Sequence, residues 1–310
     1  MLINRRNDAS KPRLAIGIDV GGTKIAAGLV DLDSGAHTAR TILPTLPSRG
    51  GIAVLDDVLG VVETLIGVAN EHQRALAGIG LGVAELVDPA GNITSQHAIP
   101  WRGLAVRQEL ARLAPAVVES DVRAHALAEA RYGAGQAYRQ WVFVAVGTGI
   151  SSCLVLDGRP YRGAHGSALV LASSPVTTTC TQCGAVLRPV LEDFAGGPAL
   201  VQRYNRATGA EFTRSEQVLA AVPDDPAAEA VVRSAGEALG VGIGWLVNVL
   251  DPEAVVVGGG LGLAGGLYWD SMVGAIRTHV YADAARDVPV LTACIGADAG
   301  FVGAAAALDP

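Results

Sequence analysis

Short apolar runs rich in β-branched residues alternate along this chain with longer stretches of helical period, and most of the runs stop at glycine. Leu14–Ile18 and Ile25–Asp31, joined through Gly21-Gly22, predict two paired strands, and Thr38–Leu43, Ala77–Val83 and Ala116–Glu119 predict three more. Apolar residues at Ile52, Leu55, Val58, Leu59, Val62, Leu65 and Ile66 recur every three or four positions, which predicts a helix over Gly51–Leu76. Asp121–Tyr132 reads as a helix closed by Gly133. The pattern then restarts as Trp141–Val146, a Gly147-Thr148-Gly149 turn, Ser152–Leu156 and a hairpin turn at Asp157-Gly158. A long helix over Ala227–Leu250, a strand over Ala254–Val257, a glycine loop over Gly258–Gly262 and a helix of small residues over Gly300–Leu308 follow. Strands alternating with helices mark α/β architecture. The repeated strand, glycine turn, strand unit predicts two related halves meeting near residue 120, with a ligand cleft between them.

Composition narrows the function classes. The chain has 310 residues, half of them hydrophobic, enough for two domains of ordinary size. A net charge of −7 and the lack of a Lys/Arg block argue against a nucleic-acid partner. The apolar stretches are broken by glycine or charge before membrane-spanning length, and Met1–Arg13 is polar with no apolar leader, so a cytoplasmic protein with no membrane partner is expected. Cys153, Cys180, Cys183 and Cys294 are too few for a disulfide framework and are expected to be reduced.

The candidate chemistry begins in "IDVGGTK", residues 18–24. Gly21 and Gly22 let backbone N–H groups approach an oxyanion, Thr23 and Lys24 add a hydroxyl and a charge, and Asp19 could organise a Mg²⁺ shell. Alternatively, Gly21-Gly22 only completes a primed hairpin turn. The pattern is neither a P-loop nor a dinucleotide fingerprint, because the chain continues as strand. Further glycine clusters follow strands at Gly147-Thr148-Gly149 and at Gly258, Gly259 and Gly260. Three such loops suit a nucleotide.

"IDVGGTK", "YRGAHG" at 161–166, "DPEAVVVGGGL" at 251–261 and the terminal "GADAGFVGAAA" together resemble the ROK family of bacterial sugar kinases and sugar-responsive repressors, in order over residues 14–308. The resemblance is to a glucokinase-like member. It implies a two-domain α/β fold of the actin/hexokinase (ribonuclease H-like) type, with ATP and sugar in the cleft. The expected division is 1–120 plus a C-terminal helix over about 298–310, against 121–297. With 18 residues ahead of Asp19, the DNA-binding module of the repressors is expected to be absent. Asp121 holds the position of the family's catalytic base, with Ser120 where asparagine is usual. The reading from the residues alone, that Asp121 caps the helix it begins, can coexist with that role.

The resemblance also shows departures. Val170 and Ser173 stand at the positions of a sugar-binding glutamate and a histidine that helps hold zinc, and His165 is expected to be a satisfied structural histidine instead of a replacement. Cys180 and Cys183 are remnants of a zinc motif whose remaining ligands are missing, so no structural zinc is expected. Glu192 aligns with a sugar-binding glutamate, its alternative being a carboxylate near a helix start. Ala84 and Glu85 replace a usual Pro-Gly, and His97 or Gln96 stands near a family asparagine. The implied activity is ATP- and Mg²⁺-dependent transfer to a hydroxyl of a hexose or amino hexose by a homo-oligomer, a dimer or tetramer. The alternative is a non-catalytic sugar or nucleotide sensor that kept the fold.

Overall fold

The computed structural model describes residues 13–71, 74–179 and 183–309, so the polar stretch before Arg13 and Cys180 lie outside the described residues. The chain forms two compact units. One runs through Gly133 and includes Arg162–Ser167 and the stretch from Ile295; the other comprises Ala134–Tyr161 and Ala168–Cys294.

In the first unit β1 (Leu14–Val20), β2 (Lys24–Asp31), β3 (His37–Pro44), β4 (Leu76–Val83) and β5 (Ala116–Ser120) form a sheet of order β3-β2-β1-β4-β5. The hairpin strands are antiparallel, while β1, β4 and β5 run parallel, so Val20, Val83 and Ser120 end side by side. Helix α1 (Gly51–Glu71) buries Val54, Leu55, Val58, Val62 and Leu65, each contributing about 1.5–3 kcal/mol of transfer free energy as an upper estimate. The helix stops at Glu71, short of the expected Leu76, because Leu76 pairs with Leu14 in the sheet. Ile52, counted on the apolar face, is 67% exposed. A short α2 (Val106–Ala111) precedes β5, and α3 (Asp121–Tyr132) follows it without a connecting residue.

The second unit repeats the plan with β6 (Gln140–Val146), β7 (Ile150–Leu156), β8 (Arg159–Pro160), a separate β9 (Thr178–Thr179) and β10 (Val186–Leu187) hairpin, β11 (Ala254–Gly258) and β12 (Val290–Thr292). The sheet order is β12-β11-β6-β7-β8, with β11 parallel to both β6 and β12. Asp157 and Gly158 both have positive φ, as the primed hairpin turn between β7 and β8 requires. The helices are α4 (Glu192–Ala195), α5 (Gly197–Thr208), α6 (Ser215–Ala221), α7 (Pro226–Leu250), α8 (Gly266–His279) and α9 (Asp283–Arg286). Asp225 starts α7 by accepting from the N–H of Ala227 at 2.7 Å, with Pro226 in the first turn, and Asp251 in left-handed conformation ends it before Pro252. Helix α7 is long and apolar enough to cross a membrane, but its Val232, Leu239, Ile243 and Val247 are buried in the core with Val144, Val257 and Met272.

Helix α10 (Ala299–Ala306) belongs to the first unit and lies on β1, β4 and α3. Only glycine permits the approach. A β-carbon on Gly17 would overlap the Phe301 carbonyl, one on Gly80 the Ala304 carbonyl, and one on Gly303 the Ala124 carbonyl. The small residues of the last helix therefore bring two helices and a sheet to backbone contact. This packing joins α3, which begins just past the boundary expected near residue 120, to the first unit.

Candidate active site

At the first glycine turn, Gly21 N–H donates to the Lys24 carbonyl at 3.0 Å. Thr45, fully buried, donates through Oγ1 to the Gly21 carbonyl at 2.6 Å and through N–H to the Thr23 carbonyl at 3.1 Å. Neither Gly21 nor Gly22 has positive φ, so the primed-turn alternative is incorrect. Packing does not demand glycine either: an added β-carbon would lie 3.5 Å from the Lys24 carbonyl at Gly21 and 3.5 Å from Ala98 Cβ at Gly22, ordinary contacts. Thr23 and Lys24 are exposed. The turn thus presents bare backbone, a hydroxyl and an ammonium group on one short stretch.

Asp19 sits one residue before the end of β1, and Asp121 opens α3 directly after β5. Burial pushes the Asp19 carboxyl up, against the pull of His125 and Lys24. A β-carbon on Gly300 would collide with that carboxylate, so glycine at the start of α10 makes its room. Burial likewise raises Asp121, to about 6; His125 and the Val122 N–H draw it down, while Asp19 and Glu85 add to the rise. Asp121 Oδ1 accepts from Val122 N–H at 2.6 Å, a single local bond that leaves most of its acceptor capacity open. His125, one helical turn on, lies with Nδ1 2.8 Å from the Asp121 backbone oxygen. Ser120 is the residue before α3, yet its Oγ caps nothing; it is buried and has no hydrogen-bond partner among the described residues. An orphaned buried hydroxyl beside a carboxyl of raised pKa marks a place where polar atoms await a ligand.

Behind these groups lies an ion-pair network in which Glu119 and Arg123 are buried and Arg162 is exposed. Glu119 pairs with Arg123 and, at 2.8 Å, with Arg162, while its Oε1 also accepts from Ser120 N–H at 2.9 Å. Arg123 donates to the carbonyls of Gly166 and Val87, both at 2.7 Å. The "RGAHG" segment is thereby fixed to the first unit. His165, expected to be a satisfied structural histidine, is instead exposed, because Arg123 holds the segment by its backbone. His97 is also exposed, on a segment whose backbone N–H groups point to Glu85.

In the second unit the other two glycine loops meet. Gly147 N–H donates to the Gly149 carbonyl at 2.9 Å, and Gly197 N–H to the Gly147 carbonyl at 2.8 Å. Gly258 closes β11; Gly259 has φ +82° and its β-carbon would overlap the Val146 carbonyl, so this glycine serves the backbone. Gly260 has no atom within 4 Å of a β-carbon position, and the nearest atom to one on Gly147 is Gly260 N at 3.9 Å. Thr148 is exposed between Gly147 and Gly149, and a β-carbon on Gly149 would lie 2.7 Å from Glu192 Oε2, so the open backbone is at Gly147 and Gly260 and the Gly149 face is filled by the Glu192 carboxylate. Glu192 opens α4, and its Oε2 accepts from Ile150 N–H at 2.7 Å, which ties it to the Gly149 turn. Val170 is exposed, and Ser173 Oγ donates to the Val170 carbonyl at 3.0 Å. Among the described residues no three His, Cys, Asp or Glu side chains cluster as metal ligands; Cys183 is exposed.

Three functional neighbours escaped the sequence reading. His125 was detectable, since a residue four positions after Asp121 shares its helix face. Thr45 and Gly300 act across the tertiary fold and carry no local signal.

The sequence profile of the ROK family matches residues 15–309. The glucokinase of Streptomyces coelicolor is 30% identical, the alignment covering 94% of this chain and 96% of that protein. Among solved structures, a ROK hexokinase from Thermus thermophilus has 31% identity and a TM-score of 0.79, covering 94% of this chain and 97% of that one. A ROK family glucokinase from Streptomyces griseus, in complex with glucose and AMPPNP, has 28% identity and a TM-score of 0.78, covering 94% and 98%.

Proposed function

The chain belongs to the ROK family and has its actin-like sugar kinase fold; on that premise we propose that it is an ATP-dependent sugar kinase acting on a hexose or amino hexose, with Asp121 as general base. The acceptor O–H, in this reading the 6-hydroxyl, gives its proton to the Asp121 carboxylate as its oxygen bonds to the γ-phosphorus, and ADP leaves with the bridging oxygen. Phosphoryl transfer depends mainly on alignment and charge neutralisation. The observation that carries the reading is Asp121 itself: a carboxyl raised to about 6 with a single local hydrogen bond, beside an orphaned Ser120 hydroxyl. A base in that range is ionised at neutral pH and still accepts a proton usefully. The similarity to a glucokinase holding glucose and AMPPNP supports the substrate classes.

The donor side fits a nucleotide. Gly21, Gly22, Gly147 and Gly260 are glycines whose β-carbons would meet no steric obstacle among the described residues, which suits bare backbone against phosphate. Thr23, Lys24, Thr148 and Gly149 complete the contacts, with Gly258 and Gly259 shaping the adenosine side. Asp19, whose raised carboxyl has no hydrogen-bonded side-chain partner among the described residues, suits the shell of a Mg²⁺ ion, which when bound neutralises phosphate charge. Ser120 and His97 are assigned to the sugar. Glu192, committed to Ile150 N–H, keeps one oxygen for it. The proposal extends to a cytoplasmic homo-oligomer without structural zinc or nucleic-acid or membrane partners, in keeping with the net charge of −7.

The test is a coupled ADP-release assay with Mg²⁺ and ATP over glucose, mannose, glucosamine and N-acetylated hexosamines, comparing wild type with Asp121→Asn. Sugar-stimulated turnover that the variant loses supports the proposal. If no sugar raises ADP release above the variant's background, the non-catalytic sensor takes its place.

A further inference from the structure

Glu85 stands two residues past β4, and the intervening Ala84 N–H donates to the Val20 carbonyl at 3.0 Å, next to the first glycine turn. The side chain is buried, 5% exposed. Its Oε2 accepts from Ser95 Oγ and from His97 N–H at 2.9 Å. Its Oε1 accepts from Ala98 N–H at 2.6 Å and Ile99 N–H at 2.8 Å. A carboxylate offers about four lone-pair sites. All are taken, so Glu85 has nothing left with which to bind a substrate.

What it does is hold a loop. Three consecutive backbone N–H groups converging on one carboxylate form an anion nest built around a residue of the chain itself. Ser95 Oγ accepts in turn from Leu86 N–H at 2.8 Å, and beyond the nest Trp101, fully buried, donates to the Gly51 carbonyl at 2.7 Å. Between these anchors lie exposed His97 and half-buried Ala98, whose methyl group borders the Gly22 turn. Among the described residues the His97 side chain has no hydrogen bond of its own that fixes it.

We propose that Glu85 is a positioning residue for the acceptor: its four-donor carboxylate sets the conformation of Ser95–Ile99, and through it the placement of His97 at the sugar and of Ala98 against the phosphate turn. The proposal rests on the kinase reading above. It separates structure from contact in a way the sequence position does not suggest, since a buried glutamate in a polar site invites the role of sugar ligand. Glutamine would fit the same space but offers one oxygen, and its amide NH₂ would oppose backbone donors, leaving at least one buried N–H unpaired.

Glu85→Gln and Glu85→Asp are compared with wild type by hydrogen exchange of a peptide spanning residues 95–101 and by acceptor KM and kcat with the best hexose of the panel. Glu85→Gln is expected to speed exchange at residues 97–99 and to raise acceptor KM about tenfold, with kcat changed by less than about threefold. Glu85→Asp, which keeps the charge but draws it back by one methylene, is expected to give smaller changes in the same direction, and it carries the test if the glutamine variant does not fold. Wild-type exchange with wild-type KM in a folded variant overturns the proposal, as does a loss confined to kcat. Asp121→Asn distinguishes the two readings: undiminished turnover in that variant defeats the base, while the exchange measurement on Glu85 still decides the loop.

Discussion

The seam under α10 and the open glycine turns use the same residue type for opposite ends. At the seam, Gly17, Gly80 and Gly303 are compulsory, because backbone carbonyls of other elements occupy the space of a β-carbon. At Gly21, Gly22, Gly147 and Gly260 no atom of the described residues occupies it and no positive φ requires it. The carboxylates of the first unit divide the same way. Glu85 and Glu119 are saturated by donors and cations, whereas Asp121 has one local bond and Asp19 has none among its side-chain neighbours. A need met within the chain indicates structure; a need left open indicates a ligand.

The largest expected effect breaks the open side of this contrast. Asp121→Asn lowers sugar-dependent kcat about 10³-fold, measured by ADP release. In the wild type, kcat/KM falls on the acid side with a midpoint at about 6, because the base must be ionised. On the closed side, Gly80→Ala lowers unfolding stability by about 3 kcal/mol in a denaturant titration; an unchanged midpoint would show that the seam relaxes freely.

Asp121 also has a smaller effect of opposite sign. Its carboxyl rises from an ordinary 3.8 to about 6 on folding, so the folded chain binds the proton more tightly. The associated stability is present below pH 3.8 and is lost as pH rises through about 6. Asp121→Asn removes that dependence and is expected to be more stable than wild type at pH 8 by about 3 kcal/mol at most, an advantage absent at pH 3.5. Chemical denaturation at both pH values checks the sign. Smallest is Gly22→Ala, expected to leave the melting temperature within about 2 °C while raising the KM for ATP about tenfold, or about 1.4 kcal/mol. A large stability loss in this variant would move Gly22 into the structural class.

Much of the fold was legible because strands and glycine turns are local. The alternation of β-branched runs with helical stretches located the strands of both five-stranded sheets except the short edge strands β8 and β12, and the helix predicted over Asp121–Tyr132 matches to the residue. The Gly51 helix was drawn too long since apolar Leu76 prolongs a helical pattern that sheet pairing interrupts. Helix α8 was not predicted, although its buried Tyr268, Met272, Ala275 and Ile276 recur at helical spacing. At the site, position and residue type pointed to Asp121 and the three glycine loops. They did not show that Glu192 is bonded to Ile150 or that His165 is exposed, since those outcomes depend on which backbone groups the fold delivers to each side chain.

Read by itself, the amino-acid order determined where apolar runs end, where glycines cluster and which carboxyl begins a helix, all properties of neighbours along the chain. Tertiary structure alone decided which glycines are crowded and which are bare, and which acids are satisfied. Phe301 meets Gly17, Gly300 makes room for Asp19, and Ser95–Ile99 closes on Glu85 only once distant segments have packed together. Steric exclusion and hydrogen-bond capacity act over a few ångströms of space, and no pattern in residue number records them.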